Sequence, residues 1–568
     1  MEPTYEIITE ANVSMPMRDG TVLNGYVFRP KAEGRFPVLV ERVAYELPQR
    51  TQACADYYVP RGYVVIGQNS RGTYASEGDH WPGRDDAWGE NQDGYDTIEW
   101  AAEQPWSDGN VGTLDGSFSG FTQYLLAPTR PPHLKAMYIR EGPADFYADW
   151  AYRYGAPYLF LRYWAFNQAL RFLNHKTAPP GQEKARDLLA KAVEELDQWN
   201  RHRPSRDLPP IKGQSDWYLE VLDHPEDGPF YGPINPSTKF HEVDTPMLHL
   251  GGWYDLFTDS VLRSYVGVRA HGKTAHCREN QRLVVGPWVH GPGNTSAHQV
   301  GEIDYGREAM YDIYAERLSW YDHWLKGVDN GVMDGPSVRV FLMGENRWLD
   351  LEDWPPADTV ERRAFLRKGT GKSNESLNNG RLSFDSPGTT EGPDSYTYDP
   401  NEPIEREFQR GPQDLRSIEP GMLTYTSDEL TEDLVVVGPV RAELYALSSA
   451  PDTDWVVRLC DVWPDGRSIP VCDGILRARY RDSVERAELM TPGETYRFKV
   501  DMSATAQTFK AGHRMRIQVT SSDFPKFEPN LNTGGPFATD VRGQVARNTV
   551  FHDAGRPSHV ILPVMGIS

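Results

Sequence analysis

Residues 110–127 read NVGTLDGSFSGFTQYLLA. A short apolar run, NVGTLDGS, leads at once into FSGFTQYLLA, whose spacing predicts a helix. A serine placed where a buried strand turns sharply into a helix marks the nucleophile turn of an α/β sheet. The short pattern G-x-S-x-G fails here in both registers. About Ser117, Asp115 takes the place of the first glycine and the later one is delayed to Gly120. About Ser119, Ser117 and Phe121 occupy both glycine positions. Ser117 is the better candidate. Gly112 and Gly116 precede it, the helix starts directly after it, and the free N–H groups of a helix N-terminus favour a developing oxyanion. Ser119 lies inside the first turn, without the bend. The plainer reading is that Ser117 only caps the helix.

Outward from this turn the same texture continues. FPVLVERV (36–43) and YVVIGQNS (63–70) read as buried strands, and DGYDTIEWAAEQP (93–105) as a helix that stops before Pro105. Residues 1–30 read as antiparallel strands turning at Asp19-Gly20. TPMLHLGGWYD (245–255) and QRLVVGPWVH (281–290) resume the strand pattern. Strands alternating with helices predict a mostly parallel sheet. Between them, ADWAYRYGAPYLFLRYWAFNQALRFLNH (148–175) is aromatic and helical, and GQEKARDLLAKAVEELDQWN (181–200) is an amphipathic helix. Beyond a Pro-rich joint, DWPPADT (353–359), short alternating runs such as GPVRAELYAL, DWVVRLCDVW and HRMRIQVTSS suit a β-sandwich or jelly roll. The expected division is a catalytic α/β unit at 1–144 and 242–354, a helical insertion at 145–241 and an all-β unit at 355–568.

The chain has 568 residues, 39% of them hydrophobic, and a net charge of −22. That balance argues against a nucleic-acid partner, which needs a basic stripe, and leaves small molecules open. A homo-oligomer is compatible with it. Sixteen Trp and 29 Tyr suggest aromatic-lined pockets as well as large cores. The four cysteines are widely spread and read as reduced thiols, with a Cys460–Cys472 bridge as the alternative. The start, MEPTYEIITE, lacks an apolar signal region, and no apolar run reaches the ~18 residues of a membrane span. The expectation is a soluble cytoplasmic protein.

A serine hydroxyl needs a base beside it, and on such sheets acid and base follow in the order Ser, Asp or Glu, His. Asp255 follows the apolar strand PMLHL, and His290 follows LVV. Each stands where a strand hands over to a loop, the usual place for catalytic groups in these sheets. His290 is therefore expected as base and Asp255 as its orienting acid. No HExxH or similar spacing accompanies His290, so neither a metal nor an organic cofactor is expected.

With these residues the chain resembles the serine hydrolases of the cocaine esterase and X-Pro dipeptidyl-peptidase type, a group that includes α-amino acid ester hydrolases and glutaryl-cephalosporin acylases. The resemblance runs along almost the whole length. It is carried by FPVLVERVAY (36–45), NSRGTYASEG (69–78), DGYDTIEWAAEQPWSDGNVG (93–112), GSFSGFTQ (116–123), GGWYD (251–255), LVVGPWVHG (283–291) and GEIDYG (301–306). VRVFLMGENRWLDLEDWP (338–355), RARYRDS (477–483) and GHRMRIQVTSSDFPKFEPNLNTG (512–534) extend it. It implies an α/β hydrolase with an inserted helical cap and a C-terminal jelly-roll domain. It also implies Ser117 as nucleophile, Asp255 as acid and His290 as base. The oxyanion hole would combine the N–H of Phe118 with the hydroxyl of Tyr45. Where the family has Gly-x-Ser-Tyr this chain has Asp115-Gly116-Ser117-Phe118. Phe118 keeps the backbone N–H, but Asp115 puts a carboxylate at a crowded turn, where it either raises the pKa of the base or turns away into a neighbouring loop.

The cap supplies aromatic pocket candidates, Trp150, Tyr154, Tyr158 and Trp164, and the loop after Asp255 supplies Phe257. The resemblance favours Trp164 and Phe257; helix packing is the alternative role for the rest. Arg71 is expected to organise its loop. An ester is the first substrate expectation. An amide is second, as in β-lactam acylases or dipeptidyl peptidases. A peptidase of this group needs acids for the free amine, and Glu141 and Asp145 stand near the cap entrance. A non-catalytic carbohydrate binder is the remaining class.

Overall fold

The structure is a computed structural model describing residues 3–566, apart from 176, 292, 370–376 and 409. Among the described residues two large sheets dominate. The first has ten strands: β1 (Ile7–Pro16), β2 (Val22–Pro30), β3 (Phe36–Val43), β4 (Val64–Asn69), β5 (Ser107–Thr113), β6 (Leu134–Arg140), β7 (Met247–Tyr254), β8 (Gln281–Val289), β9 (Val338–Leu342) and β10 (Arg347–Leu351). Their spatial order is β1-β2-β4-β3-β5-β6-β7-β8-β9-β10. From β4 to β9 every neighbour is parallel, and antiparallel pairs close both edges. Most central-strand positions are buried, because helices cover both faces of the sheet. Val38, Val40 and Val111 belong to one core, and Leu39, Tyr138 and Leu250 to another.

Residues 148–175, expected to be helical, are helical only in part. Phe146–Ala151 forms a π-helical turn, and Tyr152–Arg153 pairs with Ala156–Pro157 in a small hairpin. Only then does a helix run, over Leu159–Asn174. The break falls at Tyr154 and Gly155, both at positive φ (44° and 81°), which no helix contains. The amphipathic stretch 181–200 likewise divides into Glu183–Glu194 and Leu196–Arg201.

From Thr359 onward the strands pair among themselves into a second sheet of eleven among the described residues. Its spine is Leu434–Ser448, which alternates buried and half-buried or exposed positions from Pro439 onward and pairs with Tyr496–Phe509, Ala546–Phe551 and His559–Met565. The β region is tied to the rest by charge and rings. Arg162 Nη2 donates to Glu528 at 2.9 Å, and Tyr158 packs on Phe527 at 4.8 Å between ring centres. All four cysteines are free. Arg71 spans Asp19 and Asp93, so its role lies within its own loops.

What positions the site is a close approach. A parallel bridge joins Gly116 to Arg140, and Ser117 N–H donates to Arg140 O at 3.0 Å. A Cβ on Gly116 would lie 2.0 Å from that carbonyl oxygen, and one on Gly120 would lie 2.8 Å from Gly142 Cα. These obstacles are backbone and cannot swing aside. Gly116→Ala is expected to lower stability by about 3 kcal/mol, read as a lower urea midpoint.

Candidate active site

Five strand ends meet at one edge. Tyr45 follows β3, Ser117 follows β5, Glu141 follows β6, Asp255 follows β7 and His290 follows β8. In an open parallel sheet, ligands bind beyond the carboxyl ends of the strands, so the topology alone gathers these residues.

Ser117 sits at φ 60°, ψ −125°, directly before the helix Phe118–Leu126. That strained bend lifts the side chain off the sheet. His290 Nε2 lies 3.0 Å from Ser117 Oγ, and His290 Nδ1 lies 2.6 Å from Asp255 Oδ2. The other Asp255 oxygen accepts the Phe257 N–H at 2.6 Å, which fixes the carboxylate's orientation. A serine, an imidazole and a buried carboxylate in this line are the groups that activate a hydroxyl for attack on a carbonyl. Burial pulls the imidazole pKa down, but the charge and hydrogen bond of Asp255, with help from Glu141, outweigh it and leave it above its ordinary value. Ser119 is buried and turned the other way, its hydroxyl 3.4 Å from Glu41.

Phe118 stacks on Trp164 at 5.6 Å, and Trp164 meets Trp150 edge-on at 4.8 Å. Phe257 lies edge-on to His290 at 5.3 Å. Trp164 Nε1 donates to the Tyr45 hydroxyl oxygen at 3.1 Å, which leaves the phenol proton free to donate elsewhere. Three of the aromatic candidates, Trp150, Trp164 and Phe257, thus form one group beside Ser117 and His290. The other two do not join it. Tyr154 is carried away by its positive-φ turn and donates to Asp501 of the β region at 2.7 Å. Tyr158 lines a cavity between the Asp255 loop and the β region, together with Leu256, Phe408 and Phe527. Phe160, which the sequence reading passed over, faces His290 at 6.2 Å from the start of the helix Leu159–Asn174. Helical spacing was its only signal, and that is equally the signal of a core residue.

Asp115, at φ 74°, turns away from the serine. One of its oxygens takes Arg50 Nη2 and the other takes Arg140 Nη2, each at 2.9 Å. Arg50 continues to Glu41 at 2.8 Å, and its guanidinium covers the Tyr45 ring at 4.6 Å. Arg140 continues to Glu141 at 2.6 Å. The result is an alternating row, Glu41–Arg50–Asp115–Arg140–Glu141, beneath the turn. Burial opposes the charge on Asp115, but Arg50, Arg140 and Arg317 outweigh it and hold the carboxyl well below its ordinary range. The acids at either end have fewer cations. Burial pushes both Glu41 and Glu141 up to about 7. Glu141, Asp255 and His290 also bring ligand-type atoms within 4.8 Å of one another. His290 Nδ1 and Asp255 Oδ2 are already engaged with each other and Arg140 neutralises Glu141, so the set does not fit a resident metal.

The sequence pattern of the X-Pro dipeptidyl-peptidase (S15) family matches residues 19–292, and that of the X-Pro dipeptidyl-peptidase C-terminal non-catalytic domain matches residues 330–561. The chain is 35% identical over 581 residues to the cocaine esterase of Rhodococcus sp. (strain MB1 Bresler), with 98% of each chain covered. It belongs to the cocaine esterase and X-Pro dipeptidyl-peptidase family. Within that family it is 26% identical to a putative serine esterase of Mycobacterium bovis, over 83% of this chain and 80% of the other. It also superposes on the crystal structure of an α-amino acid ester hydrolase with a TM-score of 0.82, at 26% identity, covering 99% and 97% of the two chains. As in the family, a hydrolase-type catalytic domain precedes a mostly β C-terminal domain. Among the described residues, no helix is long and apolar enough to cross a membrane.

Removing the Asp115 carboxylate strands two arginines, one of them buried. Asp115→Ala is expected to destabilise the protein by about 3 kcal/mol or more, whereas Asp115→Asn, which keeps hydrogen-bond acceptance on one side, loses less. Urea denaturation of the two variants reads the difference.

Proposed function

We propose that the protein is a serine esterase acting on neutral carboxylic esters with an aromatic or bulky apolar acyl group, on an α/β-hydrolase framework with an inserted helical cap and a jelly-roll domain. The observation that carries the reading is the hydrogen-bonded line Ser117–His290–Asp255, delivered by three separate strand ends. Ser117 attacks the ester carbonyl while His290 Nε2 takes its proton, and Asp255 stabilises the imidazolium. The Phe118 N–H, at the first position of its helix, and the Tyr45 hydroxyl receive the charge on the carbonyl oxygen. His290 then protonates the leaving alkoxide. A water attacks the acyl-enzyme with His290 again as base, and the acid departs.

The acyl preference follows from Trp150, Trp164 and Phe257, which present rings and no countercharge to the reacting centre. Relatives named as esterases support the ester reading, and the S15 family description keeps an amide substrate as the second reading. The two acids near the cap entrance weigh against capture of a free amine. Glu141 is buried on Arg140, and Asp145 accepts from Ala148 N–H and the Asn235 amide.

A panel of p-nitrophenyl esters and aminoacyl p-nitroanilides tests the proposal. Ser117→Ala is expected to lose at least about 10⁴-fold in kcat, while Ser119→Ala keeps most of its activity. Loss in Ser119→Ala alone would refute the assignment, and turnover of anilides without esters would reverse the substrate order. His290 loses its basic nitrogen as pH falls through a pKa that is raised from 6.5. The acid limb of kcat/KM should therefore lie above about 6.5, and activity should already decline at pH values where a free imidazole would still be basic.

A further inference from the structure

The reaction just described gives Glu141 nothing to do. Yet it sits at the end of β6, between the strands that lead to Ser117 and Asp255. It is fully buried, with its backbone at φ 47°, a region an L-residue occupies only when its surroundings compel it. Its Oε2 accepts from Arg140 Nη1 at 2.6 Å and from the Gly291 N–H at 3.0 Å, and it lies 3.8 Å from His290 Nδ1. Its Oε1 is buried without a hydrogen-bond partner. A carboxylate oxygen left so is costly to keep.

We infer that Glu141 is a positioning residue for His290: a second carboxylate on the Nδ1 side of the imidazole, which stabilises the imidazolium by its charge and fixes the ring by holding the N–H of the next residue. The inference rests on the assignment of Ser117 and His290 made above. Asp255 holds the Nδ1 proton at 2.6 Å. At 3.8 Å Glu141 is too far to share that proton, so it acts through charge and through Gly291. The charged groups facing the imidazole are Asp255, Glu141 and Arg140. The first two favour the imidazolium and the last opposes it. The groups facing Glu141 are Arg140, Asp255, His290 and the Gly291 N–H. Asp115 takes a second Arg140 nitrogen, which ties that cation to the nucleophile turn. The proton passes from Ser117 Oγ to His290 Nε2 and on to the leaving group, and Glu141 gains none.

A merely structural Glu141, pairing Arg140 and closing the loop, would lower activity without moving the ionisation of His290. Glu141→Gln in the full chain separates the two roles. The kcat and KM of a p-nitrophenyl ester are measured across pH. In the Ser117→Ala background, the low-field His290 Nδ1–H resonance is titrated, with circular dichroism to establish folding. An opposite charge within about 4–6 Å moves a pKa by at least about one unit. Burial raises Glu141 to about 7, so its charge is only partly present along the acid limb, and the limb is expected to move lower by up to about one pH unit. On the alkaline plateau kcat falls about tenfold with KM little changed. The His290 midpoint moves down with the limb. Glu141→Asp, which keeps the charge, leaves the limb near its wild-type position. Glu141→Gly removes the charge where φ is comfortable for glycine, and repeats the shift if the glutamine variant does not fold. A folded variant without the carboxylate whose limb and His290 midpoint stay at wild-type values overturns the inference, whatever its kcat. If that result comes with a dead Ser117→Ala, only the role of Glu141 falls. An active Ser117→Ala removes the assignment beneath it and the inference together.

Discussion

The site depends on one steric constraint, the contact between the turn at Gly116 and the carbonyl of Arg140. Because the two backbones touch, Ser117 must leave its strand at φ 60° and the helix must begin at Phe118. The same contact fixes how far β6 runs before it delivers Glu141 beside the histidine loop. The N–H of Glu141 donates to Leu250 O at 2.8 Å, which carries the register across to β7 and hence to Asp255. The placement of Ser117, Glu141 and Asp255 after three adjacent strands is thus linked through this one contact.

The alternating row of charges is the electrostatic counterpart of that contact. Two arginines and three acids, largely dry, would be ruinous singly, since an isolated buried ion costs several kcal/mol even after relaxation. In alternation each cation lies between two anions, and the innermost acid, Asp115, is the most firmly ionised. The ends of the row reach two different parts of the site. Arg50 lies over the Tyr45 ring, and Glu141 reaches the loop of His290. Rigid support of this kind lets an enzyme hold its groups in place before the reaction needs them.

Much of this was legible in the sequence, for identifiable reasons. The strand-turn-helix texture of 110–127 and the apolar runs before Asp255 and His290 follow periodicity rules that the sheet obeys, so these three residues meet as their positions suggested. Trp150, Trp164 and Phe257 were legible as aromatic residues near the right loops. Tyr154 and Tyr158 belong to the same stretch but point elsewhere. The chain reverses in a hairpin at Tyr154 and Gly155, both at positive φ, and Gly155 was its one local sign inside an otherwise helical aromatic pattern. The direction of Asp115 was hidden as well. It depends on Arg50 and Arg140, which are 65 and 25 residues away along the chain. Glu141 follows the strand-end rule as plainly as Asp255 does, but an acid after a strand is common, and only the fold puts it 3.8 Å from the imidazole.

The row also constrains how this turn can change over generations. At φ 74° the backbone of position 115 would accept glycine more easily than aspartate. Replacement by the glycine of the common pattern is therefore sterically free but electrically blocked, because it abandons Arg50 and Arg140 at once. Asp115 is thus held by its partners rather than by its backbone, and mutational scans that change one residue at a time will overstate its importance to chemistry and understate its dependence on those partners.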